Sequence, residues 1–159
     1  MSLPFGDLLE KAESLLREGH LEEAIFAFTE CIEEHAPDAR VFYGRARCYF
    51  QLKNWPAALP DFSKSRQLAP DNLDSWVGEG VCLAMVNQVY EGIAIFEELL
   101  SKNPSYVRGR FQLGQLYYHL GVITKGHREM EKALTHRPTL GERRMIEQAL
   151  KEQKTLDKN

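Results

Sequence analysis

No apolar run in this sequence of 159 residues approaches the ~20 residues that a helix needs to cross a bilayer, so no membrane insertion is expected. Cysteine is scarce. There are three, an odd number with no CxxC pair, which argues against a disulfide framework and for a reducing, cytoplasmic setting. Basic charge is not in excess: 20 Lys and Arg stand against 23 Asp and Glu, a net charge of −3, so the chain has no general field for nucleic-acid phosphates. The opening Met1-Ser2-Leu3-Pro4-Phe5-Gly6-Asp7 has neither a basic stretch nor a long apolar one, and no secretory signal is expected. Nucleophile elbows, phosphate-binding glycine loops, HExxH and EF-hand loops are missing. Of the five histidines, His119 and His127 are eight apart and His127 and His136 nine apart, so neither pair has the i, i+4 spacing of a helical metal site. No catalytic residue, metal ligand or cofactor is assigned, and the chain is read as a non-enzyme.

What the sequence has is a period. Pro37, Pro70, Pro104 and Pro138 are separated by 33, 34 and 34 residues, and the residues between them fall into register. A large side chain comes early in each unit as Leu8, Phe42 and Trp76, with Arg110 as the exception. Four residues later sit Ala12, Ala46, Gly80 and Gly114, and three further on Leu15, Tyr49, Leu83 and Tyr117. In the second half of each unit Ala24, Ala58, Gly92 and Gly126 precede Phe28, Phe62, Phe96 and Met130 by four. Cys31, Ser65, Leu99 and Ala133 follow three later. Spacings of three and four place each set on one helical stripe, and large beside small allows helices to interlock.

Breakers separate the stripes at Glu18-Gly19-His20, Lys53-Asn54-Trp55-Pro56, Asn87-Gln88 and Gly121-Val122. The pattern predicts helices near 7–18, 22–35, 39–52, 55–68, 73–86, 89–102, 107–119 and 124–136. A bend or late start is expected at Pro60, whereas Pro56 suits a first turn. After Pro138, Thr139 and Glu142 form a T-x-x-E capping box. Met145, Ile146, Ala149 and Leu150 then make the apolar side of one terminal helix, which closes the last repeat.

Period and columns together resemble the tetratricopeptide repeat: four units over about 5–38, 39–72, 73–106 and 107–138, with a capping helix at 139–156, in a single domain spanning 1–159. The resemblance implies an all-α, right-handed αα superhelix of about nine helices. Its first helices would line a concave groove that receives an extended or helical segment of another protein. Residues of those helices outside the packing columns are then the lining: Leu9 and Glu13; Arg40, Tyr43, Arg47 and Phe50; Val77, Val81 and Met85; Arg108, Phe111, Gln115, Tyr118 and His119. Aromatics, valines and methionine beside arginines suit an apolar partner segment with acidic residues. Lys11, Arg45 and Glu79 stand where the family has leucine, a column that Leu113 keeps; Arg45 and Glu79 are expected as an ion pair between successive repeats. The subtype that grips the C-terminal carboxylate of heat-shock chaperones uses lysines, asparagines and an arginine at places that here hold Leu9, Glu13, Gly44, Asp74 and Gly78, so that clamp is not expected. Cys48 and Cys82 occupy equivalent places in adjacent repeats, too distant for a disulfide, and all three cysteines read as small buried hydrophobes.

Charge is banded: −8 over residues 1–38, +4 over 39–72, −4 over 73–106, +4 over 107–138 and +1 in the tail. The reading that follows is a protein-binding module (adaptor, scaffold or assembly chaperone). The alternative is a structural subunit that associates with copies of itself, because the first and fourth repeats carry opposite charge.

Overall fold

The computed structural model describes residues 4–156, and among these every regular element is a helix. In chain order they are α1 (Phe5–Glu18), α2 (Leu21–Glu34), α3 (Ala39–Gln51), α4 (Trp55–Leu68), α5 (Leu73–Met85), α6 (Val89–Lys102), α7 (Val107–His119), α8 (Ile123–Thr135) and α9 (Leu140–Leu156). The all-α helical-repeat class expected from the periodicity is the class found. The chain packs as two compact units, Met1–Gln88 with α1–α5 and Val89–Asn159 with α6–α9.

One turn is built four times. Gly19, Lys53, Asn87 and Gly121, each 34 residues from the next, have φ of +84°, +57°, +66° and +72°. A left-handed residue after a helix turns the next N–H back over the helix end to satisfy open carbonyls. The N–H groups of His20, Asn54, Gln88 and Val122 accordingly donate to the carbonyls of Leu15, Tyr49, Leu83 and Tyr117 at 2.8–2.9 Å. The positive-φ residues donate to the carbonyls one position further on, at Leu16, Phe50, Ala84 and Tyr118. Glycine at two of the four places removes the cost of φ > 0, while Lys53 and Asn87 carry it.

The proline turns are tied by the early large column. The Trp76 indole N–H donates to the Pro70 carbonyl at 2.8 Å. Arg110, which breaks the column by residue type, donates Nε and Nη2 to the Pro104 carbonyl at 2.9 and 2.6 Å. The arginine thus does the tryptophan's bonding. α4 does not start late at Pro60. It begins at Trp55, where the Asn54 side chain accepts from the Ala57 N–H, with Pro56 in the first turn and Pro60 inside the helix. Ahead of α9 the capping box is reciprocal: the Thr139 N–H donates to Glu142 Oε2 at 2.8 Å and the Glu142 N–H to Thr139 Oγ1 at 3.2 Å.

The small and large columns form the cores. Ala12, Ala24, Phe28, Cys31 and Val41 are buried in one cluster of the first unit, and Ala46, Ala58, Phe62 and Cys82 in another. In the second unit Val107, Met130, Ala133, Ile146 and Ala149 come together, so the apolar side of α9 closes α7 and α8. Fixed ion pairs cross between helices inside each unit. Arg45 on α3 donates Nε and Nη2 to the two Asp61 carboxylate oxygens on α4 at 2.7 and 2.9 Å, and Nη1 to Thr29 Oγ1 on α2 at 3.1 Å. Arg66 on α4 pairs with Glu79 on α5, and Arg110 on α7 with Glu129 on α8 at 2.7 Å. Arg45 and Glu79 therefore do not pair with each other: α4 supplies a partner to each. A buried hydroxyl pair joins α4 to α5, with Ser65 Oγ and Ser75 Oγ 2.9 Å apart and Ser65 donating to the Ala39 carbonyl at 3.0 Å.

Candidate functional site

The inner face of the first unit is shaped by two glycines. Gly44 on α3 and Gly78 on α5 each follow a phenylalanine of the preceding helix pair, Phe28 and Phe62, by sixteen residues. A Cβ on Gly44 would meet Phe28 Cζ at 2.2 Å, and one on Gly78 would meet Phe62 Cδ1 at 2.5 Å. The missing side chains let the rings press against the helix backbone. At Gly44 the result is a cleft of about 310 Å³ between α1 and α3. Phe28, Leu16 and Tyr43 give it apolar surface, and Glu13, Arg17, Arg40, Arg47 and Asn72 give it polar edges.

The arginines of this cleft differ. Arg40 is engaged: Nε and Nη2 bind the Asp38 carboxylate at 3.1 and 2.8 Å, and the guanidinium carbon lies 5.8 Å from the centre of the Phe5 ring. That guanidinium, with the Arg40 N–H, holds the Asp38 carboxyl below its usual range, which keeps it charged as the N-cap of α3. Among the described residues Arg17 and Arg47 have no carboxylate within ion-pair distance, and the Arg47 guanidinium carbon sits 5.7 Å from the centre of the Tyr43 ring. The cleft therefore offers guanidinium and aromatic surface together, at the edge of a unit whose net charge is acidic.

In the second unit the corresponding face is covered in part by α9. Val107, Arg108, Phe111 and Gln112 of α7 meet Glu142, Met145 and Ile146 of α9 around a hollow of about 240 Å³. Ile146 is fully buried beneath it, whereas Met145 is 54% exposed at its rim.

The fourteen residues expected to line a groove are thus sorted by the structure. Glu13, Tyr43 and Arg47 meet in the first cleft, with Arg40 tied to Asp38 at its side. Phe50 is half-buried and stacks edge-on against Trp55 and Phe62, with ring centres 4.7 and 6.0 Å away, so its surface goes to α4. Val81 is half-buried and Met85 exposed. Two positions are corrected outright. Leu9 is 4% exposed and belongs to the core with Leu8 and Ala12, and Val77 is 3% exposed within Ser75–Gly80, a stretch of α5 that is buried all round. Arg108 and Phe111 border the second hollow, while Gln115 is half-buried and His119 is exposed at the end of α7. Tyr118 faces α8, edge-on to His127 at 5.5 Å, with its ring where a Cβ on Gly126 would stand. That contact explains why glycine replaces alanine at 126. Pattern alone missed Arg17, Leu16, Phe28, Asn72 and the three α9 residues. The sixteen-residue Phe/Gly spacing was the available signal for Phe28.

All three thiols are buried and free. Burial raises each thiol pKa, to about 11 at Cys48 and about 12 at Cys82, so they are inert packing groups. Among the described residues no three His, Cys, Asp or Glu side chains are placed to hold a metal, and no helix is long and apolar enough to cross a membrane.

Helix pairs closed by the same turn every 34 residues define a helical-repeat protein, and comparison with known proteins bears on which repeat it is. The family model described as the tetratricopeptide repeat matches residues 9–84. The wheat (Triticum aestivum) Hsp70-Hsp90 organizing protein is 26% identical over 96 residues, which is 60% of this chain and 16% of that protein. The chain thus spans under a fifth of the length of such relatives. Among solved structures, YrrB, described as a TPR protein with an unusual peptide-binding site, superposes with a TM-score of 0.79 at 18% identity, covering 88% of this chain and 71% of that one. TTC0263, a thermophilic TPR protein of Thermus thermophilus, gives 0.76 at 18% identity over 97% of this chain and 85% of its own. These likenesses show the fold. The family match and these relatives support a protein-interaction module in the general sense.

Proposed function

We propose that the chain is a non-enzymatic adaptor, scaffold or assembly chaperone whose α1/α3 cleft holds an apolar partner segment, extended or helical, with acidic residues. The observation that carries this reading is the cleft itself. Arg17 and Arg47, without carboxylate partners among the described residues, line it together with Tyr43 and Phe28, and the Arg47 guanidinium lies against the Tyr43 ring. Guanidinium beside aromatic surface is the combination that concentrates binding energy at interfaces, and carboxylates are its natural counterpart. Val81 and Met85 extend the apolar surface along α5, and Arg108, Phe111 and Gln115 offer a second, separate contact on α7. YrrB's description as peptide-binding supports a peptide as the class of ligand. The wheat relative is named for Hsp70 and Hsp90. A clamp for a chaperone's terminal carboxylate has no footing here, since Gly44 and Gly78 stand at two of its positions with phenylalanine rings in the space. Buried free thiols suit a reducing, cytoplasmic setting.

The test is fluorescence anisotropy with peptides that share an apolar core and carry either Asp/Glu or Lys flanks. Acidic peptides are expected to bind, and R17E with R47E to abolish binding while helicity is kept; Y43A weakens it by roughly tenfold. Equal binding of both flank types, or unchanged binding by the double variant, refutes the reading.

A further inference from the structure

Phe26 on α2 is 67% exposed, and nothing in the repeat asks for an aromatic there. The matching positions of the later units hold Pro60, Ala94 and Arg128, all exposed. Glu22, Glu23 and Glu30 lie four and three residues before Phe26 and four after it, on the same stripe of α2, and the first repeat carries a net −8. It is an aromatic knob in an acidic collar. The hollow between α7 and α9 has the opposite character. Its wall is Val107, Phe111, Met145 and Ile146, it is rimmed by Arg108, and the repeat that contains α7 and α8 carries +4. Its one carboxylate, Glu142, is bonded through Oε2 to the Thr139 N–H and hydroxyl. At about 240 Å³ it exceeds the ~150 Å³ cavity that accepts benzene, so a phenyl ring fits within it.

From this complementarity of shape and charge we infer that the occupant of the α7/α9 hollow is Phe26 of a second copy of this chain. One copy's knob enters the next copy's hollow, with glutamates of α2 facing Arg108, Arg143 and Arg144. Such a contact joins two different surfaces. A pair of copies keeps one unused knob and one unused hollow, so further copies add head to tail. Opposite charge aligns the copies and makes the contact salt-sensitive. The inference does not depend on the α1/α3 peptide reading, because Phe26 lies outside that cleft; it assigns the α7 contact at Arg108 and Phe111 to the second copy instead of to the peptide.

Sedimentation velocity over a range of concentrations at low salt is expected to show species larger than a monomer, which fall apart at ~1 M salt, where charges more than ~3 Å apart are screened. F26A removes the ring and M145E places an acid at the rim; both residues are exposed, so circular dichroism and melting should be unchanged. Each variant alone should associate roughly a hundredfold more weakly. Mixing the two is the decisive arm, since F26A keeps an intact hollow and M145E an intact knob, and together they should form a heterodimer that grows no further. A wild-type chain that stays monomeric throughout overturns the inference. So does association that survives either substitution, or a mixture of the two folded variants that yields no heterodimer.

Discussion

Where α3 and α5 carry Gly44 and Gly78, the matching position of α7 carries Gln112, and the two compact units part ways there. In the first unit a phenylalanine ring fills the space that a side chain would take, leaving a cleft edged by arginine and tyrosine. In the second, Gln112 helps wall a hollow that α9 covers from the other side. The ion pairs differ too. Arg45 gives Nε and Nη2 to the Asp61 carboxylate and Nη1 to a neutral hydroxyl, Thr29 Oγ1, whereas Arg110 shares its donors between Glu129 and the Pro104 carbonyl. Every cysteine lies in the first unit. The same repeat thus supports an open, arginine-bearing face in one unit and a helix-covered apolar one in the other.

The largest expected effect separates the two ion pairs. D61A leaves a guanidinium that is only 19% exposed with the Thr29 hydroxyl as its one remaining side-chain hydrogen-bond partner, and should cost about 3 kcal/mol. E129A leaves Arg110 its carbonyl partner and should cost roughly 1–2 kcal/mol. Chemical denaturation with hydrogen exchange read separately in each unit distinguishes them, and equal costs would erase the contrast. Next is the glycine position: G44A forces the Phe28 ring away and should cost about 2 kcal/mol, while Q112G should cost only about 1 kcal/mol in helix propensity. Melting curves of the two variants decide the order.

Alkali provides a third test. Folding raises the pKa of Cys48 to about 11 and of Cys82 to about 12. The folded chain therefore holds these protons more tightly than the unfolded one. Their contribution to stability is complete below the unfolded thiol pKa near 9 and is lost as pH climbs towards 11–12. C48A with C82A should flatten that decline in the first unit. In the second unit the comparable group is Tyr117, pushed up to about 12 by burial and by donating to Glu97 at 2.8 Å, and it is untouched by the change. The smallest effect is a gain: K53G relieves a positive φ and should stabilise the first unit by roughly 1 kcal/mol, seen as a modest rise in melting temperature.

The helices were readable from the sequence because burial repeats with a helical period. The columns Ala12, Ala46, Gly80 and Gly114, and Phe28, Phe62, Phe96 and Met130, are all buried where their spacing puts them. Neighbour choice was less readable. Spacing says that Leu9 and Val77 sit off the main stripe, but not that enough surrounds them to bury a second stripe as well. The apolar side of α9 was evident from Ile146 and Ala149, yet nothing in its period says that Met145 would rim a hollow with Phe111. The sequence does not specify the partners of Arg45 and Glu79 for a related reason: they are Asp61 and Arg66, both on α4. A charge on one first helix meets the second helix between them before it meets its counterpart in the next repeat.

The bond from residue 110 to the carbonyl of Pro104, made by arginine where residue 76 uses an indole, has a consequence for recognising such proteins. What the corner between repeats demands is a long donor reaching six residues upstream, and ring chemistry is incidental to it. Surveys that score the position by aromaticity will discard units that are mechanically sound, and a guanidinium six places after a helix-ending proline is a better flag for them than its hydropathy suggests.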